Sequence, residues 1–305
     1  MDGRPAQKPS KKRTRGVVPT GTPRGSTFWG TTQTCWRLFL LKHVLALFPV
    51  KTPDPLLIGT LYHALLDNWS VEGLHTFGEE YRPHIPLAVK LYEARLKGPP
   101  LPKATASEKT RTLPFGMTAK ADREELGLGK KRSIRDFKST AFFSEHDDKQ
   151  WAVNLGILAE AMGNDAENAT VDVICKREGE SFGRVQQFEV KVGDREREAV
   201  EQLVNDARIE IHSRVDEAHA VLVPDVWPQP PEVQKKLKAA FPKRMPSCVG
   251  KYGPCSHYDR CWADGPERHL FEAKPRKGYA WVKDENDVEL TRKVEVLAAA
   301  FVGVV

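Results

Sequence analysis

Residues 133–140, "SIRDFKST", place Asp136 and Lys138 two positions apart in a short run flanked by Ile134 and Phe137. In a strand, residues i and i+2 project from one face, so this run presents a carboxylate and an ammonium side by side. Such a pair suits phosphodiester hydrolysis. The carboxylate can ligate a hard cation such as Mg2+ or Mn2+, and the lysine can position or deprotonate an attacking water and offset charge developing on the phosphate.

The same acid-to-lysine spacing recurs at Asp147/Lys149, Glu189/Lys191 and Glu272/Lys274, so spacing alone does not single out Asp136. The first of these opens a helical stretch, where acids are ordinary. "FEVKV" is also strand-like, and its bland reading is the solvent face of an edge strand. Asp136 differs in having a companion. The preceding segment "FGMTAKAD" (115–122) reads as a strand ending at Asp122, joined to 133–140 by the charged turn "REELGLGKKR". An antiparallel hairpin would bring the two carboxylates together, about the usual protein contribution to a magnesium site.

Outward from this hairpin, residues 31–48 are expected to form a helix carrying Cys35 and burying Leu38, Leu41, Leu45 and Phe48. After the break "KTPDP", a second helix spans about Leu57 to Trp69, with Gly59 and His63 on one flank. Residues 86–97 read as helix, and "KGPPLPKATASEKT" as a Pro-rich polar loop. Downstream, one buried helix is expected from Lys149 to Met162, capped by Asp147 or Asp148. "ATVDVICK" and "VQQFEVKV" read as strands, and Val200, Leu203, Val204, Ala207, Ile211 and Val215 mark a long helix. A short basic helix with Lys235, Lys236 and Lys238 follows, then the cysteine segment; the last forty residues read as a hairpin and short helix. The pattern is that of an α/β domain.

Taken in order, Gly59-Thr60-Leu61-Tyr62-His63, Asp122, Asp136-Phe137-Lys138 and Gln150 resemble the motifs of RecB-type nucleases in the PD-(D/E)XK superfamily. The likeness spans most of the chain between Cys35 and Cys261. It implies a restriction-endonuclease-like fold, a mixed central sheet flanked by helices. It also implies His63, Asp122 and Asp136 as metal ligands, Lys138 as the catalytic lysine, and Gln150 as a group orienting the lysine or water. One position departs from the pattern: the family commonly carries Tyr four residues after the Gln, where this chain has Asn154. Individually the residues have ordinary readings: Gly59 for close helix packing, His63 as a surface or core histidine, Asp122 as a turn former.

Cys35, Cys248, Cys255 and Cys261 form a second set, three clustered near one end and one near the other. Convergence would pin the first helix to the last segment, and four thiolates suit tetrahedral zinc or an iron-sulfur cluster. The arrangement resembles the iron-sulfur branch of the same family, found in CRISPR-associated adaptation nucleases, helicase-nuclease subunits and phage-encoded relatives. It implies a [4Fe-4S] cluster, expected to be structural; Zn2+ is the alternative that the same thiolates suit, and His257 reads as a loop residue that could substitute as a ligand. Cys175, in an apolar strand, stands outside this set.

The 305-residue chain is long enough for a substantial core. Its net charge of +6 comes from residues 1–25, which hold seven Lys/Arg and one Asp; subtracting these from 47 basic and 41 acidic residues leaves 40 of each. The remainder is formally neutral, so basicity argues only about a tail expected to be disordered and able to contact nucleic-acid phosphates. No apolar h-region, transit helix or membrane span is read; "WRLFLLKHVLALFPV" is short and carries charge. Five cysteines without a signal peptide fit a reducing, cytoplasmic setting. The organisation expected is a tail (1–25), a nuclease domain (26–265) and an extension (266–305). The expected partner is DNA, single-stranded or at an end, tracked by Lys235, Lys236, Lys238, Lys243 and Arg244, with a helicase or recombination protein as a further partner. Two other readings stand beside it: a non-catalytic iron-sulfur subunit with a vestigial site, and a zinc protein without a nuclease core.

Overall fold

A computed structural model describes residues 25–301 apart from 46, 50, 127–131, 145, 224–225, 227–228, 245–247, 251–252, 256–270 and 274–287. In chain order the elements are α1 (Ser26–Thr34), α2 (Trp36–Phe39) running into a π turn (Leu40–Val44), β1 (Leu47–Pro49), α3 (Asp54–Leu66), α4 (Val71–Leu74), a 3-10 turn (Glu79–His84) and α5 (Ile85–Leu96). Then come β2 (Ala104–Thr112), β3 (Thr118–Leu126), β4 (Arg132–Thr140), α6 (Asp147–Ala152), α7 (Leu155–Gly163), β5 (Asn168–Cys175), β6 (Val185–Lys191), α8 (Asp194–Ala220) and α9 (Pro231–Ala240). Short strands β7 (Val249–Gly250), β8 (Gly253–Pro254) and β9 (Phe271–Ala273) precede a helix at Val288–Phe301.

β2 to β6 form a five-stranded mixed sheet in sequential order, with β4 and β5 parallel and the other neighbours antiparallel. β5 is buried along nearly its whole length, covered on both faces, and its apolar run is interrupted by Thr170 and Asp172, which are buried too. Strand alternation assigns the layers. Ile134, Ala169, Val171 and Val173 face the main core with Ile157, Ala161, Val200, Val204 and Ile211 from α7 and α8. Phe137 and Ile174 point the other way, onto Ile58, Tyr62, Leu66 and Leu91 of α3 and α5. The architecture is the one expected: an α/β domain with a mixed central sheet between helices, and β3 and β4 paired antiparallel.

Several boundaries differ from the sequence reading. The helix expected over 31–48 begins at Ser26 and breaks at Cys35, whose backbone is extended before the chain turns helical again at Trp36. Trp69 lies past the end of its helix and is 38% exposed, because Asn68 adopts a left-handed conformation (φ 62°) that ends the run. The polar stretch 97–110 is not all loop: β2 starts at Ala104, and its alternation of small and charged residues suits an exposed edge strand held by ladder bonds to β3. The single helix expected over 149–162 is two. Asn154 accepts hydrogen bonds from Gly156 N (2.9 Å) and Ile157 N (3.2 Å), capping a new helix at the position where the resembling family carries Tyr. Asp147 is the first residue of α6 rather than its cap, and its carboxylate accepts from Ser144 N at 2.9 Å.

Near the C-terminal side, β9 pairs with β1, and Leu290, Val294 and Leu297 join the main core against α8. The expected hairpin beyond residue 273 lies outside the described residues. No helix among the described residues is long and apolar enough to cross a membrane.

Under α5 the sheet encloses a charge network that sequence reading did not anticipate. Arg95, 1% exposed, grips Asp172 of β5 with Nε–Oδ1 at 2.8 Å and Nη2–Oδ2 at 2.7 Å. Asp172, fully buried, also accepts from Arg135 Nη1 (3.2 Å) and Gln187 Nε2 (2.8 Å), and Arg135 reaches Glu125 at 2.9 Å. With every oxygen of Asp172 engaged the pair fixes α5 to β5. Removing one partner strands a buried charge: Arg95→Ala is expected to lower unfolding free energy by about 3–5 kcal/mol. The double variant Arg95→Met/Asp172→Leu should recover much of that loss in urea melts.

Candidate active site

The hydrogen-bonded register of β3 and β4 ends at Arg123↔Arg135. Beyond that point β3 continues toward Thr118 paired with β2 alone, while β4 from Asp136 to Thr140 pairs with β5 alone. The two strands fork. Phe137 N, which would otherwise bond across the ladder, donates to Asp122 Oδ2 at 2.8 Å. Asp122 therefore sits within β3 at the mouth of the fork, not at the strand's end as the sequence suggested.

Four of the expected side chains meet here. His63 of α3 brings Nδ1 to 3.3 Å from Asp122 Oδ1, and its ring lies edge-on to Phe137 at 6.4 Å between centres. Across the fork, Lys138 Nζ donates to Asp136 Oδ1 at 2.6 Å. Asp136 Oδ2 is 2.5 Å from the same ammonium but off hydrogen-bond angle, leaving a buried carboxylate oxygen with no hydrogen bond. The lysine side chain keeps 40% of its surface in solvent while the Asp136 side chain keeps 3%, so the cluster has a closed floor and an open mouth.

Gln150 does not join them. Its side chain is exposed on α6 and forms no hydrogen bond to Lys138 or either aspartate among the described residues. Glu160 of α7 instead contributes charge near Lys138. The sequence held a signal for it: Glu160 is the single charged residue in the helix "LGILAEAMG". The competing "FEVKV" behaves as an edge strand, with Glu189 accepting from Thr170 Oγ1 at 2.9 Å.

The electrostatics follow from two carboxylates sharing a buried corner. Burial, reinforced by the Asp122 charge, raises the Asp136 carboxyl to about 6 despite Lys138. Burial also works against ionising Asp122, but His63, Lys138 and the Phe137 N–H outweigh it and hold that carboxyl well below the usual carboxylate range. For Lys138, burial opposes the charge, yet Asp136, Asp122 and Glu160 prevail and hold its proton above the ordinary lysine value. His63 is likewise raised, the Asp122 carboxylate overcoming burial.

As a cation site, the corner offers the Asp122 and Asp136 carboxylates, oxygen donors of the kind a hard divalent ion takes while completing its shell with water and phosphate. His63 already faces Asp122. Among the described residues no three His, Cys, Asp or Glu side chains are grouped to hold a metal ion.

Cys35 stands at the break between α1 and α2, and Cys248 and Cys255 flank the β7–β8 pair. Cys35 and Cys248 are buried and Cys255 is half-buried. Cys255 N donates to Cys248 O at 2.8 Å across β7 and β8, and Cys248 Sγ approaches Arg244 O at 3.6 Å. Arg244 in turn bonds Gln33 O, and Arg37 N donates to Pro242 O at 3.2 Å, so the segments carrying Cys35 and Cys248 are tied together. Lys42, whose pKa burial lowers, has the Cys255 sulfur as its opposing charge. Cys261 and His257 lie outside the described residues. Cys175 is buried at the end of β5.

No protein-family model matches the chain, and no curated protein matches it in sequence. Similar solved structures include the crystal structure of SSO0001, 13% identical over 50% of this chain and 84% of that one, with a TM-score of 0.27. They also include a phage related exonuclease from Haemophilus somnus 129PT, 12% identical over 50% of this chain and 78% of that one, with a TM-score of 0.30. Neither likeness is close enough to carry a functional argument.

The shifted carboxyl sets a pH signature for the metal-free protein. Asp136 titrates near 6 in the fold against about 3.9 in the unfolded chain, so the native state binds the extra proton between these values. Its contribution to stability therefore falls as pH rises from about 4 to 6. Raised His63 and depressed Asp122 act outside that window: the former loses its contribution above pH 6.5, the latter below about 3.9. Asp136→Asn is expected to gain melting temperature relative to the native protein as pH goes from 4.5 to 7, worth on the order of 2 kcal/mol at the upper end, in scans with EDTA.

Proposed function

We propose that the chain is a divalent-metal-dependent deoxyribonuclease that hydrolyses DNA phosphodiester bonds. The observation that carries this reading is the fork itself, which presents Asp122, Asp136 and Lys138 from two strands at one open-mouthed corner. The RecB-like order of these residues along the chain supports it.

When bound, Mg2+ or Mn2+ would supply Lewis acidity to the phosphate and lower the pKa of a coordinated water. Asp122 and Asp136 would hold it. The protein's own groups do the rest. His63 keeps Asp122 ionised and oriented, and the Phe137 N–H fixes the other oxygen of that carboxylate. Lys138, with its proton held firmly, acts as a cation beside the phosphate's non-bridging oxygens and leaves proton removal to another group. In the metal-free protein the Lys138 ammonium is held on the Asp136 carboxylate, at 2.6 Å from Oδ1, within reach of the same corner. The half-open corner admits a phosphodiester while the closed floor keeps the charges in a poorly solvated setting, where they act strongly.

The cysteines support a companion proposal, a [4Fe-4S] cluster held by Cys35, Cys248, Cys255 and Cys261 that braces the chain ends, with Zn2+ the alternative occupant. Its role is structural: it would lock α1 to the segment after α9.

With end-labelled single-stranded and duplex DNA, cleavage is expected only with Mg2+ or Mn2+, and Lys138→Ala should slow it about 100- to 1000-fold. Equal, metal-independent outcomes for the native protein and Lys138→Ala would remove the enzyme reading and favour a DNA-binding subunit. Anaerobically purified protein should absorb near the visible range of iron-sulfur clusters and lose that colour, together with melting temperature, in Cys248→Ser; a colourless protein carrying zinc would reverse the assignment.

A further inference from the structure

Each carboxylate of the corner has an arginine as its chain neighbour, Arg123 after Asp122 and Arg135 before Asp136. These two arginines face each other as the last paired residues of β3 and β4, where the strands begin to part. Alternation sends Arg135 to the face opposite Asp136, where it meets Asp172 at 3.2 Å. Like charges directly opposite one another on an antiparallel pair push the strands apart. Between them stands Glu125, two residues along β3 and so on the same face as Arg123. Its Oε1 lies 3.1 Å from Arg123 Nε and 2.9 Å from Arg135 Nε, so one carboxylate oxygen ties both strands at the root of the fork.

All three side chains are largely withdrawn from water, which strengthens repulsion and attraction alike. Arg135 has a second acid in Asp172, but Arg95 already grips that carboxylate through two bonds. Arg123 otherwise donates to a backbone oxygen, Pro102 O. From Arg123 through Glu125, Arg135 and Asp172 to Arg95, the network sets three guanidiniums against two carboxylates. Loss of the Glu125 charge would therefore leave two buried cations facing each other at the fork root. Just past that rung, Phe137 N spans the fork to Asp122 Oδ2 at 2.8 Å, and Asp136 is the residue between Phe137 and Arg135. A change in strand separation at the rung thus passes directly to the spacing of Asp122 and Asp136.

We propose that Glu125 is a positioning residue for the cation site: by holding Arg123 and Arg135 together at the root of the fork, it sets the gap across which Asp122 and Asp136 share one divalent ion. Glu125 touches neither ion nor substrate and acts through the two strands. The inference rests on the nuclease reading and deepens it by naming what fixes the width of the corner. Small divalent ions demand near-ideal ligand geometry, so a gap held from behind governs how tightly they bind. Groups that support metal ligands from outside the coordination shell commonly control affinity in this way.

The test uses the full chain. Mn2+ affinity at the site lost in Asp136→Asn is measured by electron paramagnetic resonance without DNA, amide exchange of Phe137 by NMR in EDTA, and cleavage of end-labelled DNA across a Mn2+ titration. Glu125→Gln, nearly isosteric but uncharged, is expected to weaken Mn2+ binding about 10-fold. It should also speed Phe137 exchange more than that of Val171 and Val173 in β5, whose amides report the sheet as a whole. The Mn2+ needed for half-maximal cleavage should rise, while the rate at saturating Mn2+ stays within about 3-fold of native. Glu125→Asp, which keeps the charge, should lose less affinity. The double variant Arg123→Met/Glu125→Gln removes the repulsion together with the charge that meets it, and should recover most of the Mn2+ affinity. A role in folding alone would lower melting temperature without moving Mn2+ affinity. Native Mn2+ affinity in Glu125→Gln, or a double variant no better than the single one, would overturn the positioning role even if the native protein cleaves DNA. Mn2+ binding that depends on Glu125 without cleavage under any divalent metal would instead overturn the nuclease reading and leave the positioning role standing. A native protein that binds no Mn2+ would overturn both.

Discussion

A backbone N–H in a buried strand must find an acceptor, and at Phe137 it finds the Asp122 carboxylate at 2.8 Å instead of a carbonyl of β3. The substitution allows β3 and β4 to part without leaving an orphaned donor. It also anchors Asp122 at one oxygen while His63 takes the other. Everything distinctive about the corner follows from that separation. Continued pairing would fill the space between Asp122 and Asp136 with ladder, and no ligand could enter between the strands.

The sheet carries opposite charge economies on its two faces. Under α5, Asp172 is surrounded by Arg95, Arg135 and Gln187, so a buried charge is fully compensated and the surface it joins is rigid. On the other face, Asp136 and Asp122 share one ammonium, and the burial of Asp136 leaves its carboxyl near 6. The first arrangement is complete in itself, whereas the second is an electrostatic deficit that a cation would relieve. A strand placing Arg135 and Asp136 on opposite faces, one for holding and one for chemistry, connects them through a single peptide.

Because β4 and β5 run parallel, their carboxyl ends lie at the same end of the sheet, where Lys176 N donates to Thr140 O. The cysteine-bearing segments are joined through Arg37, Arg244 and Gln33 to α1 and α2.

Residue spacing alone pointed to the α/β class and to the β3–β4 hairpin with Asp122, Asp136 and Lys138 on it, because strand alternation and helix periodicity are local properties, whereas the place of His63 among them came only from the family resemblance. Spacing could not yield the edge strand β2, whose polar residues carry no apolar period and whose identity comes from pairing with β3. Nor could it divide the helix at Asn154, where one side-chain cap outweighs a continuous apolar run. Tertiary structure alone decided that Gln150 stays outside the corner, that Glu160 approaches Lys138, and that Arg95 reaches Asp172 from 77 residues away. Those placements depend on how separate elements pack around the sheet, and a buried charge finds its partner by distance in space rather than by spacing along the chain.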